Sequence, residues 1–338
     1  MEAYSYALPS SFIAQKPASP RDSARLLAYS RSTGKVSYDT FTHLRGYLPK
    51  NAVVVFNETK VLPARLALKK ETGGMVRVLC TGIKGKRMRA LADKPLRPGM
   101  KLFVNRRIFF TVDGRDGAEY IMKPSCARAG LNALFEKYGN APIPPYIKHT
   151  PLSSAELKKQ YQTVFAKNSG SIAAPTASLH FTKRLLEKLR KTGISTQFVT
   201  LHVGLGTFAP LTEENITQGK LHKERYAIDS KTAAFLNRAK KEGRPIIAVG
   251  TTAVRALETA SDKKGKLAKL SGETDIFIRE GYRFRFTDGI ITNFHVPRSS
   301  LLMLVSAFVG RERLFELYRK AMKKKFSFFS FGDGMLLY

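Results

Sequence analysis

The hydrophobic period changes along this chain, and the two periods it contains build two different architectures. Between residues 75 and 122, short runs rich in β-forming residues (75–80, 88–92, 101–104 and 108–112) recur about every ten residues, separated by Gly or Pro turns. Strands so short and so regularly spaced close into a small barrel. From Phe181 onward, helical periods at 183–191, 231–241, 252–261 and 311–325 alternate with apolar strand runs at 196–202, 245–249 and 289–292. Alternation of that kind builds an α/β main domain with a mixed sheet. Residues 52–56 read as a further buried strand, so the barrel interrupts the α/β domain. The expected division is an α/β domain of residues 1–62 and 142–338 with a β-barrel inserted at 63–141, its linkers near Pro63 and in the Pro-rich 142–146.

Composition enters through charge. With 58 Lys and Arg against 26 Asp and Glu the chain carries +32, an excess that suits a polyanionic partner. The excess is densest from Lys60 to Lys123, where 16 basic residues face 5 acidic ones. A salt-tolerant or solubility-driven surface is the competing account, since the bias touches every region. At 338 residues and 43% hydrophobic the chain can bury real cores. Its longest apolar run, 301–309, is too short to cross a bilayer, and residues 1–14 lack a basic region and a continuous apolar stretch. The expectation is a cytoplasmic protein without a membrane segment. Cys80 and Cys126 stand far apart without ligand spacing, which argues against a zinc site, a disulfide framework or a three-cysteine iron–sulfur cluster.

The stretch 161–182, Tyr-Gln-Thr-Val-Phe-Ala-Lys-Asn-Ser-Gly-Ser-Ile-Ala-Ala-Pro-Thr-Ala-Ser-Leu-His-Phe-Thr, follows no packing rule. Gly170 and Pro175 break any helix, small residues admit a ligand to the backbone, and Thr182 suits the N-cap of a helix starting at Lys183. This order closely resembles the central signature of the S-adenosylmethionine:tRNA ribosyltransferase-isomerase family of queuosine biosynthesis. Further segments recur in the family's order: 21–27 (Arg-Asp-Ser-Ala-Arg-Leu-Leu), 56–66, 141–147 (Ala-Pro-Ile-Pro-Pro-Tyr-Ile), 202–208 (His-Val-Gly-Leu-Gly-Thr-Phe), 249–252 (Val-Gly-Thr-Thr), 292–295 (Thr-Asn-Phe-His) and 329–333 (Phe-Ser-Phe-Gly-Asp).

The resemblance implies a reaction. The ribosyl part of S-adenosylmethionine, consumed as co-substrate with no other cofactor and no metal, moves onto the aminomethyl group of a 7-deazaguanine at the wobble position of tRNA. Epoxyqueuosine-tRNA forms, and adenine and methionine leave. The aminomethyl nitrogen must be neutral to attack, a carbon beside the sulfonium must lose a proton, and departing adenine benefits from an acid. Histidines or perturbed carboxylates are the natural agents.

His180, His202, His222 and His295 have suitable contexts, while His43 and His149 lie outside the matched segments. A lone histidine is more often structural than catalytic. His180 leads, because a place just ahead of a helix start would keep its imidazole neutral. His295 follows, flanked by Asn293 and Pro297 at a strand end. His202 and Glu224 are further catalytic candidates that serve equally to orient other side chains. For ligand anchoring, Gly250, Thr251 and Thr252 join a strand to a helix start whose free N–H groups suit a carboxylate or phosphate, although an ordinary capped helix has the same sequence. Gly204, Gly206 and Thr207 permit close backbone approach, a reading that rests on the resemblance. Pro175, Thr176 and Asn293 belong to the matched loops. Asp333 is either a turn residue or a ligand to a ribose or amine. Tyr161 and Gln162 suit stacking on or hydrogen bonding to an anticodon-loop base that has left its stack.

The sequence departs from the family pattern at Ser178, Lys223, Ala209 and Arg77, and more mildly at Glu58 and Phe331. These replacements bear on single contacts, and they leave open a non-catalytic tRNA-binding homologue. An ordinary methyltransferase is disfavoured, because no glycine-rich nucleotide loop with a downstream acidic ribose ligand follows a strand. Beyond tRNA and S-adenosylmethionine, no protein partner is evident.

Overall fold

The structure is a computed structural model and describes residues 2–204 and 211–338. The expected contacts of Gly206 and Thr207 lie outside the described residues. The larger unit is built on a nine-stranded mixed sheet in the order Ser271–Ile276, Lys220–Ala227, Ser195–Leu201, Val53–Asn57, Ile246–Val249, Gly289–Asn293, Gly334–Leu337, Arg25–Tyr29, Val36–Thr40. The four strands Ser195–Leu201, Val53–Asn57, Ile246–Val249 and Gly289–Asn293 run parallel, and antiparallel pairs finish the sheet on both sides. Parallel strands are covered on both faces and so read as unbroken apolar runs. Val53, Val54, Val55, Phe56 and Ile246 to Val249 are all fully buried. Alternate residues serve opposite faces: Val53 and Val55 pack with Val254 and Leu257 of the helix Thr251–Ala260, Val54 and Phe56 with Leu185 and Leu189 of Lys183–Lys191.

The helix starts follow the capping rules. Thr182 Oγ1 accepts from Leu185 N at 3.0 Å, and Asp229 Oδ1 accepts from Lys231 N at 2.9 Å to open Ser230–Lys241. The apolar run at 301–309 is a buried helix, Ser300–Val309, capped by Ser299. Lys220–Ala227 and Ser271–Ile276 escape the sequence reading. Their outward residues are charged or polar, and only their pairing with each other and with Ser195–Leu201 makes them strands.

The second unit is a closed six-stranded antiparallel barrel whose strands all fall between Arg65 and Pro124. Leu66, Leu68, Val76, Val78, Met88 and Phe110 fill it at every second position. The helix Arg128–Tyr138 packs Leu131, Leu134 and Phe135 into the same core. The chain enters and leaves through paired backbones, Arg65 N donating to Asn140 O at 3.2 Å and Asn140 N to Arg65 O at 2.8 Å. Gly139 is required at that crossing: a Cβ there would lie 1.8 Å from Pro63 O. Among the described residues no helix is long and apolar enough to cross a membrane.

Candidate active site

Outside the carboxyl ends of the parallel strands, where open α/β sheets bind ligands, lies a cleft of about 330 Å³. Three strand ends supply its floor: Val203 beyond Leu201, Gly250 to Thr252 beyond Val249, and Thr292 to Ser299 at and beyond the end of Gly289–Asn293. The signature stretch supplies one wall through Ala173 to Ala177, and Tyr146, Phe329 and Ser330 supply another. The wall is tied to the sheet, since Ser171 Oγ donates to Ala173 O at 2.8 Å and accepts from Val203 N at 2.9 Å. Ile172 N donates to Val203 O at 3.0 Å. Tyr146 Oη and Ser330 Oγ meet at 2.6 Å, and the Tyr146 and Phe329 ring centroids lie 4.9 Å apart.

Of the expected site residues, the cleft collects Tyr161, Pro175, Thr176, Gly250, Thr251, Thr252, Asn293 and His295. His295 is its one lining imidazole, and no Asp or Glu lines it among the described residues. Burial pushes this imidazole down to about 3, so it is neutral near pH 7. Its Nε2 meets Thr292 Oγ1 at 2.8 Å, its backbone N–H donates to Tyr318 Oη at 2.8 Å, and its carbonyl accepts from Tyr6 Oη. These contacts fix the ring in place, and the burial that keeps it neutral also disfavours its protonated form and makes it a weak base.

His180 stands just ahead of the helix Lys183–Lys191, as expected, but outside the cleft lining. It ends the short 3₁₀ turn Thr176–His180, is buried, and stacks on Phe41 with centroids 4.2 Å apart. The ring lies behind the cleft wall, where Nε2 accepts from Asn293 Nδ2 at 3.3 Å. Asn293 Oδ1 in turn accepts from Thr176 Oγ1 at 2.9 Å. Burial first, and the Arg21 charge second, hold His180 down at about 3. Desolvation accounts for its neutrality, where a helix start was expected to. Its visible work is to orient Asn293, and through it the Thr176 hydroxyl.

Five more of the expected residues, His202, Gly204, Glu224, Gln162 and Asp333, stand outside the cleft lining. His202 meets Thr59 Oγ1 at 2.9 Å, and its ring lies flat against Gly170, where a Cβ would approach Nδ1 to 3.0 Å. Burial and the Arg225 charge lower its pKa. Glu224 is buried, pairs with Arg255 Nη1 and accepts from Gly204 N at 2.9 Å, so Gly204 is held by a carboxylate. Gln162 braces the strand Thr59–Val61, since its side-chain amide accepts from Val61 N at 3.1 Å and donates to Val61 O at 2.6 Å. Asp333 is likewise a structural cap: Oδ1 accepts from Arg25 N and Oδ2 from Ser327 N, each at 2.7 Å. Burial nevertheless raises its pKa. Tyr161 lines the cleft with a ring only 1% exposed and edge-on to Phe331, which leaves no face for a splayed base.

Sequence reasoning passed over Tyr146, Phe329 and Ser330, although each stands in a matched segment. It also passed over Arg298 at the cleft and the buried Arg255. Arg298 and Phe329 adopt φ values of +55° and +69°, which non-glycine residues seldom do outside constrained sites. Nothing in the residue order marks that. Among the described residues no three His, Cys, Asp or Glu side chains converge as metal ligands.

Fold and site together define an α/β protein with an inserted barrel and a ligand cleft at the carboxyl ends of its parallel strands. The family described as queuosine biosynthesis protein matches residues 1–337, and the chain belongs to that family. A Carboxydothermus hydrogenoformans protein named S-adenosylmethionine:tRNA ribosyltransferase-isomerase is 44% identical over 345 residues, covering 100% of this chain and 99% of its own. A Moorella thermoacetica protein of the same name is 45% identical over 347 residues, with the same coverage of 100% and 99%. The crystal structure of S-adenosylmethionine tRNA ribosyltransferase from Thermotoga maritima aligns with a TM-score of 0.57 at 30% identity, over 99% of this chain and 100% of that one.

Proposed function

We propose that this chain is the S-adenosylmethionine:tRNA ribosyltransferase-isomerase of queuosine synthesis and that the reaction runs in the cleft beneath the signature loop. The observation that carries the reading is convergence: in a chain that matches the family from end to end, the signature wall, the Gly250 to Thr252 turn and the Asn293 to His295 strand end meet around one cavity. S-adenosylmethionine is the co-substrate and tRNA the acceptor. The cleft suits a sulfonium that has to become a carbon acid, because aromatic faces and neutral oxygens line it, with no carboxylate among the described residues to damp that acidity. His295 is the candidate proton acceptor by position, as the one imidazole lining the cleft among the described residues; burial makes the free ring a weak base, so the role requires substrate binding to raise its basicity. His180 is a positioning residue that fixes Asn293 and Thr176 in the wall. The barrel unit, residues 63–141, supplies basic surface for tRNA phosphates, and with tRNA as acceptor the protein works in the cytoplasm. A homologue that binds without turnover is not favoured by full-length kinship with proteins that all bear the enzyme's name.

The test is the release of adenine and methionine from S-adenosylmethionine in the presence of tRNA carrying the aminomethyl-deazaguanine. The expected result is stoichiometric release with ribosyl label entering tRNA, reduced about 10² to 10⁴-fold by His295→Asn. Methyl label in tRNA, or no release from a folded protein that binds both substrates, would refute the reading.

A further inference from the structure

The turn between Val249 and the helix Thr251–Ala260 is built with its donors left over. Gly250 enters the helix at φ +83° and ψ 150° and provides no side-chain cap. Its own N–H goes to Ile291 O at 2.7 Å, and its carbonyl accepts from Ala253 N at 3.1 Å and Val254 N at 3.3 Å. The amides of Thr251 and Thr252 therefore stand in the first turn of a ten-residue helix with no carbonyl behind them to accept. A second, independent feature lies at the same spot. Thr252 is 8% exposed and its hydroxyl has no hydrogen-bond partner among the described residues, which is unusual for a buried oxygen. A Cβ on residue 250 would come within 3.6 Å of that hydroxyl, so glycine keeps the space in front of it open. Arg298, also in the lining of the cleft, adds a cation.

Two free amides, the positive end of a helix dipole, a spare hydroxyl and a lining without carboxylates among the described residues select an anion. We propose that this turn receives the α-carboxylate of S-adenosylmethionine, with the Thr252 hydroxyl as its side-chain donor. The assignment rests on the reading of the cleft as the S-adenosylmethionine site. It also orients the ligand. Val249 and Ile291 are partners on adjacent strands, and the short chain from carboxylate to sulfur spans about one strand spacing, about 4.8 Å. A carboxylate anchored at Thr251 and Thr252 therefore puts the sulfonium beside Asn293 and His295, where the proton has to be removed. A tRNA phosphate is the other anion that such donors accept, and binding experiments separate the two.

The affinity of the full-length protein would be measured calorimetrically for S-adenosylmethionine, for its decarboxylated analogue and for tRNA. Thr252→Val removes the donor, and Thr252→Ser keeps it in a smaller side chain. The expected result is a loss of about ten- to a hundredfold in S-adenosylmethionine affinity for Thr252→Val, the range for a hydrogen bond to a charged group. The decarboxylated analogue and tRNA should change less than twofold, and Thr252→Ser should recover most of the loss. An equal loss for both small molecules, no loss for either, or a loss confined to tRNA overturns the assignment. Adenine release by the wild-type protein is scored separately. An active enzyme indifferent to Thr252→Val sinks the subsite alone, whereas a protein with the expected binding pattern and no turnover keeps the subsite and loses the enzymatic reading.

Discussion

The placement of His180 yields a prediction about acid stability. In the folded protein its pKa falls from 6.5 to about 3 through burial, with the Arg21 charge adding to it. Below pH 6.5 the unfolded chain takes up a proton that the folded chain refuses, so stability falls with pH from 6.5 down to about 3 and is level above 6.5. Each pH unit in that window is worth about 1.4 kcal/mol per proton. Between pH 7 and pH 5 His180 alone removes about 2 kcal/mol, and His295, lowered to the same value by burial, removes about 2 kcal/mol more. His180→Gln keeps an acceptor for Asn293 Nδ2 but cannot titrate. Groups other than His180 titrate alike in both proteins, so urea unfolding at pH 7 and pH 5 should show an acid loss about 2 kcal/mol smaller for the variant than for wild type. Because His180 is assigned to positioning, the variant's pH–rate profile should keep its shape while its turnover falls by a modest factor. Equal acid losses in the two proteins would refute the buried-neutral placement. Disappearance of one limb of the pH–rate profile would return His180 to the role of a proton-transfer group.

Three further outcomes are expected. The exposed hairpin residues Lys84, Lys86 and Arg87 are reversed to Glu together: if they meet phosphates, tRNA affinity falls and the log–log salt slope shrinks by about 2 to 3, while S-adenosylmethionine binding is unchanged; a salt-independent tRNA affinity would assign the charge to solubility. Gly139→Ala forces a Cβ toward Pro63 O at 1.8 Å and Phe135 O at 2.6 Å, so thermal unfolding should show a loss of about 1–3 kcal/mol or more, and an unchanged midpoint would mean that the linker pair yields easily. Asp333→Asn presents a donor to one of two backbone N–H groups and should cost about 1–3 kcal/mol of stability with no change in S-adenosylmethionine affinity; a selective loss of affinity would restore the ligand reading.

What the residue order settles by itself is local. Helix Lys183–Lys191 follows from its apolar spacing and from Thr182, and the barrel strands follow from a two-residue alternation with turns between them. The buried strand Val53–Asn57 follows from an unbroken apolar run. The matched segments also specify a chemistry, because an order such as 161–182 has no packing purpose. Tertiary structure decides which of those segments share a cavity, and that depends on strand order and loop path. Polar edge strands such as Ser271–Ile276 exist only through long-range pairing, which no window of sequence contains. The histidines show the division most clearly. His180, His202 and His295 all stand in motifs, yet one lies behind a wall against Phe41, one lies against Gly170 and one faces the cleft. Burial and partner geometry set the work of an imidazole, and both are properties of the packed molecule.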